Sequence, residues 1–291
     1  MRFIMFALLI CLLMPQASSG DSPERLHDDD WYRERYKCLT LPERFFTFES
    51  EFDWPEGYRR FDSTELTPFQ YWVSHFPIWH KDKAVFTNRF GKRYEAKEIS
   101  RSLQFQWRVV ALTDCGIPIQ MLAEYYLWLG EQAKLSYVLK RGETINYAEY
   151  LTSKSAFRPG QGIVLIPDAP KEHAELQINK FVDLTVRNTT YASLAENCSP
   201  IDREEVLPGD LLIARDSAGT TGQVWVILNV IVNKKGKKLY LVGTGCADQC
   251  MFYIPLFNNN RKYPWITLKQ VEELAGGHEQ SGFFRLRSEF P

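Results

Sequence analysis

The chain lacks a surplus of charge of either sign. Lys plus Arg number 35 and Asp plus Glu 36, a formal net charge of −1 at pH 7. Nucleic-acid binders and proteins that dock on anionic lipid normally carry a basic excess, so both classes are disfavoured. There is no internal repeat, no low-complexity tract and no Gly-rich phosphate loop. No CxxC pair occurs, and no His stands at ligand spacing from Cys246 or Cys250, which argues against a zinc site. Neither a metal nor another cofactor is expected. The longest apolar run, Phe3 to Met14, is 12 residues. That is short of the roughly 20 needed to cross a bilayer, so no membrane span is expected.

What is present is a core-forming composition. Apolar residues make up 45% of 291 residues, with 8 Trp, 14 Tyr and 19 Phe. This suits one large domain or two small ones and excludes disorder for the bulk of the chain. No linker separates a second domain. The first residues, MRFIMFALLICLLMPQASSG, combine one basic residue, an apolar run and the small stretch Ala17-Ser18-Ser19. They read as a secretory signal peptide over 1–19, which implies a secreted or periplasmic protein. A lipoprotein signal at Cys11 fits less well, because Ile10 is bulky for the preceding position. Cleavage after Ser19 removes Arg2 and leaves 34 basic against 36 acidic residues, a net charge of −2. Residues 20–60 read as a charged leader and 61–291 as a single domain. After cleavage Cys38, Cys115, Cys198, Cys246 and Cys250 remain. The odd count leaves at least one unpaired if all bonds are internal. Cys246 with Cys250 would be a local bond, and Cys38 with Cys198 would tie down the leader, which leaves Cys115 free; no connectivity follows from sequence.

Along the chain, STELTPFQYWVSHFPIW predicts a short helix starting near Thr67-Pro68. KAVFTNRFGKRYEA predicts a hairpin, and LQFQWRVVAL a strand entering a core. PDAPKEHAELQINKFVDLTVRNTTYASL reads as loop then helix. From 206 onward the pattern is of strands: LLIA after a Pro-Gly turn, QVWVILNVIV, a return strand LYLVGT and a short MFYIPL, then a helix in ITLKQVEELAGG. A central helix followed by an antiparallel meander is an α+β arrangement.

The central helix carries the candidate chemistry. In LTDCGIPIQMLAEYYLWLG, Ile119, Leu122, Tyr126 and Leu129 form one apolar stripe, and Ile117, Met121, Tyr125 and Trp128 a second. A helix apolar on two faces is buried. Pro118 belongs in its first turn and Gly130 ends it. Cys115 therefore sits at the N-cap, where the macrodipole and free N–H groups favour thiolate and can cradle an oxyanion. A nucleophilic thiol also needs a base and an orienting group.

With PGDLLIA and Gly222-Gln223-Val224, this TDC-G helix start resembles the NlpC-type branch of papain-like cysteine peptidases and amidases. Five ordered strings, FQYWVSHFPI, TDCGIPIQMLAEYYLW, LPGDLLI, GKKLYLVGTGCADQ and YPWITL, resemble a bacterial family catalogued as domain of unknown function 4846, from about Phe69 to Phe284. The resemblance implies a papain-like (NlpC-like) fold, with a central buried helix packed on an antiparallel sheet. It implies Cys115 at the nucleophile position. It also implies Gln223 where the family carries its basic His, and Thr244 where it carries an orienting Gln. An amide cannot act as general base at neutral pH.

The resemblance thus implies an exported, impaired or non-catalytic relative of cell-wall and peptide-bond thiol hydrolases that binds a peptide, glycopeptide or acylated ligand. Two other readings stay open. One is an active cysteine hydrolase or acyltransferase with nucleophile Cys115 and a relocated base such as His173. The other is a structural envelope protein. His75 and His80 fit capping or core roles, His173 a surface residue, and Asp210 a turn.

Overall fold

A computed structural model describes residues 46–78, 86–87, 93–94, 99–103, 105, 113–171, 174–245, 252–257 and 259–287. The expected signal peptide, most of the leader, His80, His173, Cys38, Cys246, Cys250 and most of the LQFQWRVVAL segment lie outside them. The protein is α+β, with a mostly antiparallel sheet and few helices. In chain order come α1 (Phe48–Glu51), β1 (Tyr58–Arg60), α2 (Pro68–Ser74), β2 (Phe86–Thr87), β3 (Arg93–Tyr94), β4 (Ile99–Ser102) and α3 (Gly116–Leu129). Then follow β5 (Ser136–Val138), β6 (Thr144–Asn146), α4 (Tyr147–Leu151), β7 (Ser153–Arg158), β8 (Gly162–Pro167), α5 (Ala174–Arg187), α6 (Tyr191–Glu196) and β9 (Cys198–Pro200). The last elements are β10 (Asp210–Arg215), β11 (Gly222–Asn233), β12 (Lys238–Thr244), β13 (Tyr253–Pro255), α7 (Leu268–Glu273) and β14 (Gln280–Leu286).

The main sheet runs β4-β13-β12-β11-β10-β14-β9, with β1 pairing onto the far end of β11. Every strand pairing of this sheet among the described residues is antiparallel. Its two faces bury separate cores. Leu211, Ile213, Val224, Val226 and Leu228 pack with α2, α3 and α5 residues, including Trp72, Cys115, Ile119, Met121 and Phe181. Leu212, Ala214, Trp225, Ile227 and Val242 pack on the opposite face with Val271 and Ala275 at α7. The alternation along β10 and β11 is the period of two that a sheet covered on both faces requires.

Helix α3 takes the predicted form. Every residue from Gly116 to Tyr126 is buried, and Gly130 closes the helix in the left-handed region at φ 73°, where the lack of a Cβ removes the steric cost. Helix α2 begins at Pro68 behind Thr67, whose hydroxyl accepts from Gln70 N while the Gln70 side chain accepts from Thr67 N. The stretch read as one loop and one helix is two helices. Asn188 and Thr189 turn their side chains onto the last carbonyls of α5, and Thr190 caps α6 reciprocally with Ser193.

The domain also begins earlier than residue 61. Phe48 and Phe52 are core residues, Glu51 makes a buried ion pair with Arg101, and Tyr58–Arg60 pair with Asn233–Ile231. The segment 46–60 is therefore packed structure rather than leader.

Candidate functional site

The site is built where the start of α3 meets β11. Thr113 and Asp114 form the turn that launches the helix, with Gly116 N and Ile117 N both donating to Thr113 O. Cys115 is the N-cap, already at helical angles (φ −61°, ψ −29°), and its side chain makes no cap hydrogen bond. It is 5% exposed and a free thiol.

The residue that organises the junction is Asp114. Its side chain is buried, and Oδ1 accepts from Cys115 N (3.0 Å) and Tyr191 Oη (3.0 Å). Oδ2 accepts from Val224 N (3.0 Å) and Tyr191 Oη (3.2 Å). One carboxylate thus joins three elements: the first turn of α3, the start of β11 and the first residue of α6. The Val224 N–H is available because β12 ends at Thr244, whose Oγ1 donates to Val224 O at 2.6 Å. The following Gly245 passes so close that a Cβ there would stand 2.6 Å from Ile117 Cδ1 and 3.3 Å from Asp114 Cα. Tyr191 is held by the Thr190 cap. Above that cap lies the 216–221 loop, where Gly219 O accepts from Ala192 N. The loop is tied by Asp216, which accepts from the backbone and hydroxyls of Thr220 and Thr221, and these bonds bring its carboxyl down to about 2.

Burial sets the electrostatics. It holds the Asp114 carboxyl above its ordinary value, against the pull of the bonds from Val224, Tyr191 and Cys115. It pushes the Cys115 thiol well up, the neighbouring Asp114 charge pushes the same way, and the Tyr191 hydroxyl opposes both. The thiolate expected at a helix start is therefore disfavoured. A terminus contributes roughly 0.3–1 kcal/mol when exposed, and desolvation of a small anion exceeds that.

The other predicted positions fall elsewhere. Gln223 is half-buried and pairs across the ladder with Ala214. Its period-two partners are Trp225 and Ile227, so its side chain belongs to the face opposite the one that Cys115 and Val224 share. Thr244 is directly opposite Trp225 and lies on that same second face. The helix start and the strand do meet as expected, but through Asp114 and Val224 N rather than through Gln223. Cys198 is a free buried thiol that donates to Leu194 O at 3.2 Å, and burial raises it to about 12; Cys38, the partner suggested for it, lies outside the described residues. His75 caps α2, its Nδ1 at 2.9 Å from Tyr71 O and 3.0 Å from Ser74 Oγ. Asp210 is a buried carboxylate paired with Arg285 Nε at 2.8 Å, besides accepting Leu207 N in its turn. Sequence reasoning missed Asp114 and Tyr191. The available signal was a carboxylate placed directly before a helix too apolar to leave it in water.

A family model described as domain of unknown function (4846) matches residues 48–279. The chain belongs to this family. The match begins at Phe48, the first residue of α1, consistent with a domain that includes the 46–60 segment. No curated protein and no solved structure matches the chain. Among the described residues of this family member there is no group of three or more His, Cys, Asp or Glu placed to hold a metal ion. No helix among them is long and apolar enough to cross a membrane.

Proposed function

We propose that the protein is an exported, papain-like relative of NlpC-type thiol hydrolases that has lost hydrolase chemistry, and that it serves by binding a peptide, glycopeptide or acylated ligand. The observation that carries this reading is the state of Cys115. The thiol is buried beside a buried carboxylate, and the polar group on it is a tyrosine hydroxyl rather than an imidazole. A phenol with its own pKa driven up by burial cannot take the thiol proton at neutral pH. The position at which the resembled family carries its basic His is Gln223, an amide whose side chain belongs to the other face of the sheet.

The test is the pH profile of Cys115 alkylation by iodoacetamide in the folded protein, in the urea-unfolded chain and in Gln223→His. The folded protein should react at least about tenfold more slowly than the unfolded chain at pH 7.5, since each unit of pKa is a factor of ten in thiolate. Gln223→His should leave the profile unchanged. A folded-state profile with its midpoint below pH 7 would mean that a cation activates the thiol, and the active-hydrolase reading would replace this one.

A further inference from the structure

The hairpin β7–β8 is a two-stranded sheet that no other strand joins among the described residues. Its ladder can be phased residue by residue. Ile163 N donates to Glu143 Oε1 at 3.0 Å, so the Phe157–Ile163 pair does not exchange ladder bonds. Two residues along, the Ser155–Leu165 pair is turned outward too, and after it Ser153–Pro167. Two observations agree with that phase. Pro167 has no N–H to give, and the Ser153 carbonyl is taken from outside the hairpin by Lys171 Nζ. The free edge of β7 therefore presents N–H and C=O groups of Ser155 and Phe157. Both residues are exposed, and no protein hydrogen bond to their backbone edge is found among the described residues.

The same edge carries unneutralised positive charge. Lys154 and Arg158 project from one face of β7, and Arg141 stacks on Phe157 with its guanidinium carbon 5.1 Å from the ring centroid. All three are exposed, and among the described residues no acidic side chain pairs with them. The nearest carboxylate in sequence, Glu143, is occupied by the N–H groups of Arg141 and Ile163. Phe157 is itself 56% exposed.

We propose that the β7 edge docks an extended acidic peptide segment of a partner protein, which adds to the hairpin as a third strand. Backbone bonds to Ser155 and Phe157 would supply affinity in a way that does not depend on sequence. Specificity would come from the two faces. Side chains of the added strand beside Lys154, Ala156 and Arg158 share one face, and those beside Ser155 and Phe157 share the other. The matching pattern is acidic on the first face and apolar on the second, in strict alternation. A second copy of the chain is a poorer occupant, because antiparallel pairing of two β7 edges brings Lys154 and Arg158 against their own counterparts.

The probe is a fluorescein-labelled peptide of alternating Glu and Val, with the Lys-Val peptide as its counterpart, titrated with the full chain and read by anisotropy. The Glu-Val peptide should bind, more weakly as salt rises, and the Lys-Val peptide should not. Ser155→Pro removes an outward N–H without touching the ladder, so it should weaken binding at least about tenfold at an unchanged melting temperature. Lys154→Glu with Arg158→Glu, both exposed, should reverse the preference in favour of Lys-Val and serves even if the proline variant fails to fold. Equal binding of both peptides, or of neither, overturns the proposal. So does an unreversed preference in the charge-swapped variant. A concentration-dependent dimer abolished by Ser155→Pro would assign the edge to a second copy instead.

Discussion

Replacing Asp114 by asparagine tests whether its carboxylate holds the α3–β11 junction as a double acceptor. Two of its donors, Cys115 N and Val224 N, are backbone groups that cannot rotate away, and they meet different oxygens. An amide has one oxygen. With that oxygen toward Val224, the NH2 group faces Cys115 N–H; in the flipped rotamer it faces Val224 N–H. Either way a buried donor is left opposite a donor, at a cost of about 1–3 kcal/mol. Tyr191 Oη can turn to accept from the NH2 group, so it adds little. Removing the buried charge works in the other direction, which places the net loss for Asp114→Asn at about 1–2 kcal/mol. Asp114→Ala leaves both backbone donors without an acceptor and should lose about 2–4 kcal/mol. Tyr191→Phe leaves both backbone bonds intact and should cost about 1 kcal/mol. Urea unfolding followed by tryptophan fluorescence at pH 7 measures all three. The reasoning is refuted if Asp114→Asn matches the wild type or is more stable than Tyr191→Phe.

The same carboxylate gives a pH dependence of definite sign. Its folded pKa lies above the ordinary 3.8, so the native state binds the proton more tightly than the unfolded chain. Wild type should therefore gain stability relative to Asp114→Asn as pH falls from 7 toward 4, so the deficit of the variant should widen; a constant or narrowing deficit in parallel urea series would contradict it. Arg285→Met strands the Asp210 carboxylate, buried to 1%, but Arg285 is partly exposed and water can follow, so about 2 kcal/mol should be lost in chemical unfolding. Gly222→Ala places a Cβ 2.2 Å from the Ala214 carbonyl oxygen, a backbone atom that cannot step aside. The variant should open the β10–β11 turn and lower the melting temperature by several degrees, for a cost of about 1–3 kcal/mol.

Helix α3 was legible because burial on two faces leaves two complete apolar stripes, and because proline and glycine mark its ends. The strands from Asp210 to Thr244 were legible because a sheet covered on both sides reads as continuous apolar runs closed by Pro-Gly and Asn-Lys-Lys-Gly turns. Strand β14 was not, since Gln280, Ser281 and Gly282 carry no apolar alternation; it is a strand because β10 supplies its partner. Strand β4 was hidden for a related reason. Its ISRS string holds two buried serines and an arginine whose burial depends on Glu51, fifty positions earlier. At the site, the role of Cys115 as N-cap followed from local pattern. The face on which Gln223 lies did not, because a strand of twelve residues buried on both sides gives no sign of which set of alternate residues meets the helix. Tyr191 could be joined to Asp114 only by folding, across 77 positions.

The segment from Phe46 to Arg60 has a bearing on how the chain comes together during synthesis. Among the described residues it is held by Ile78 and Arg101, then Ile231 to Asn233, then Lys262, whose carbonyl accepts from Asp53 N, and Trp265, whose indole donates to Asp53 O across 212 positions. A segment that emerges early is thus among the last to be secured. Until Trp265 is available, Phe48 and Phe52 have an incomplete core, and the end of β11 that β1 pairs with stays an open edge. Contacts of such long range slow folding and leave unpaired edges exposed meanwhile. A chain stopped just before residue 262 would keep every residue of α3 and β11, yet it would lack the clasp that closes its own beginning.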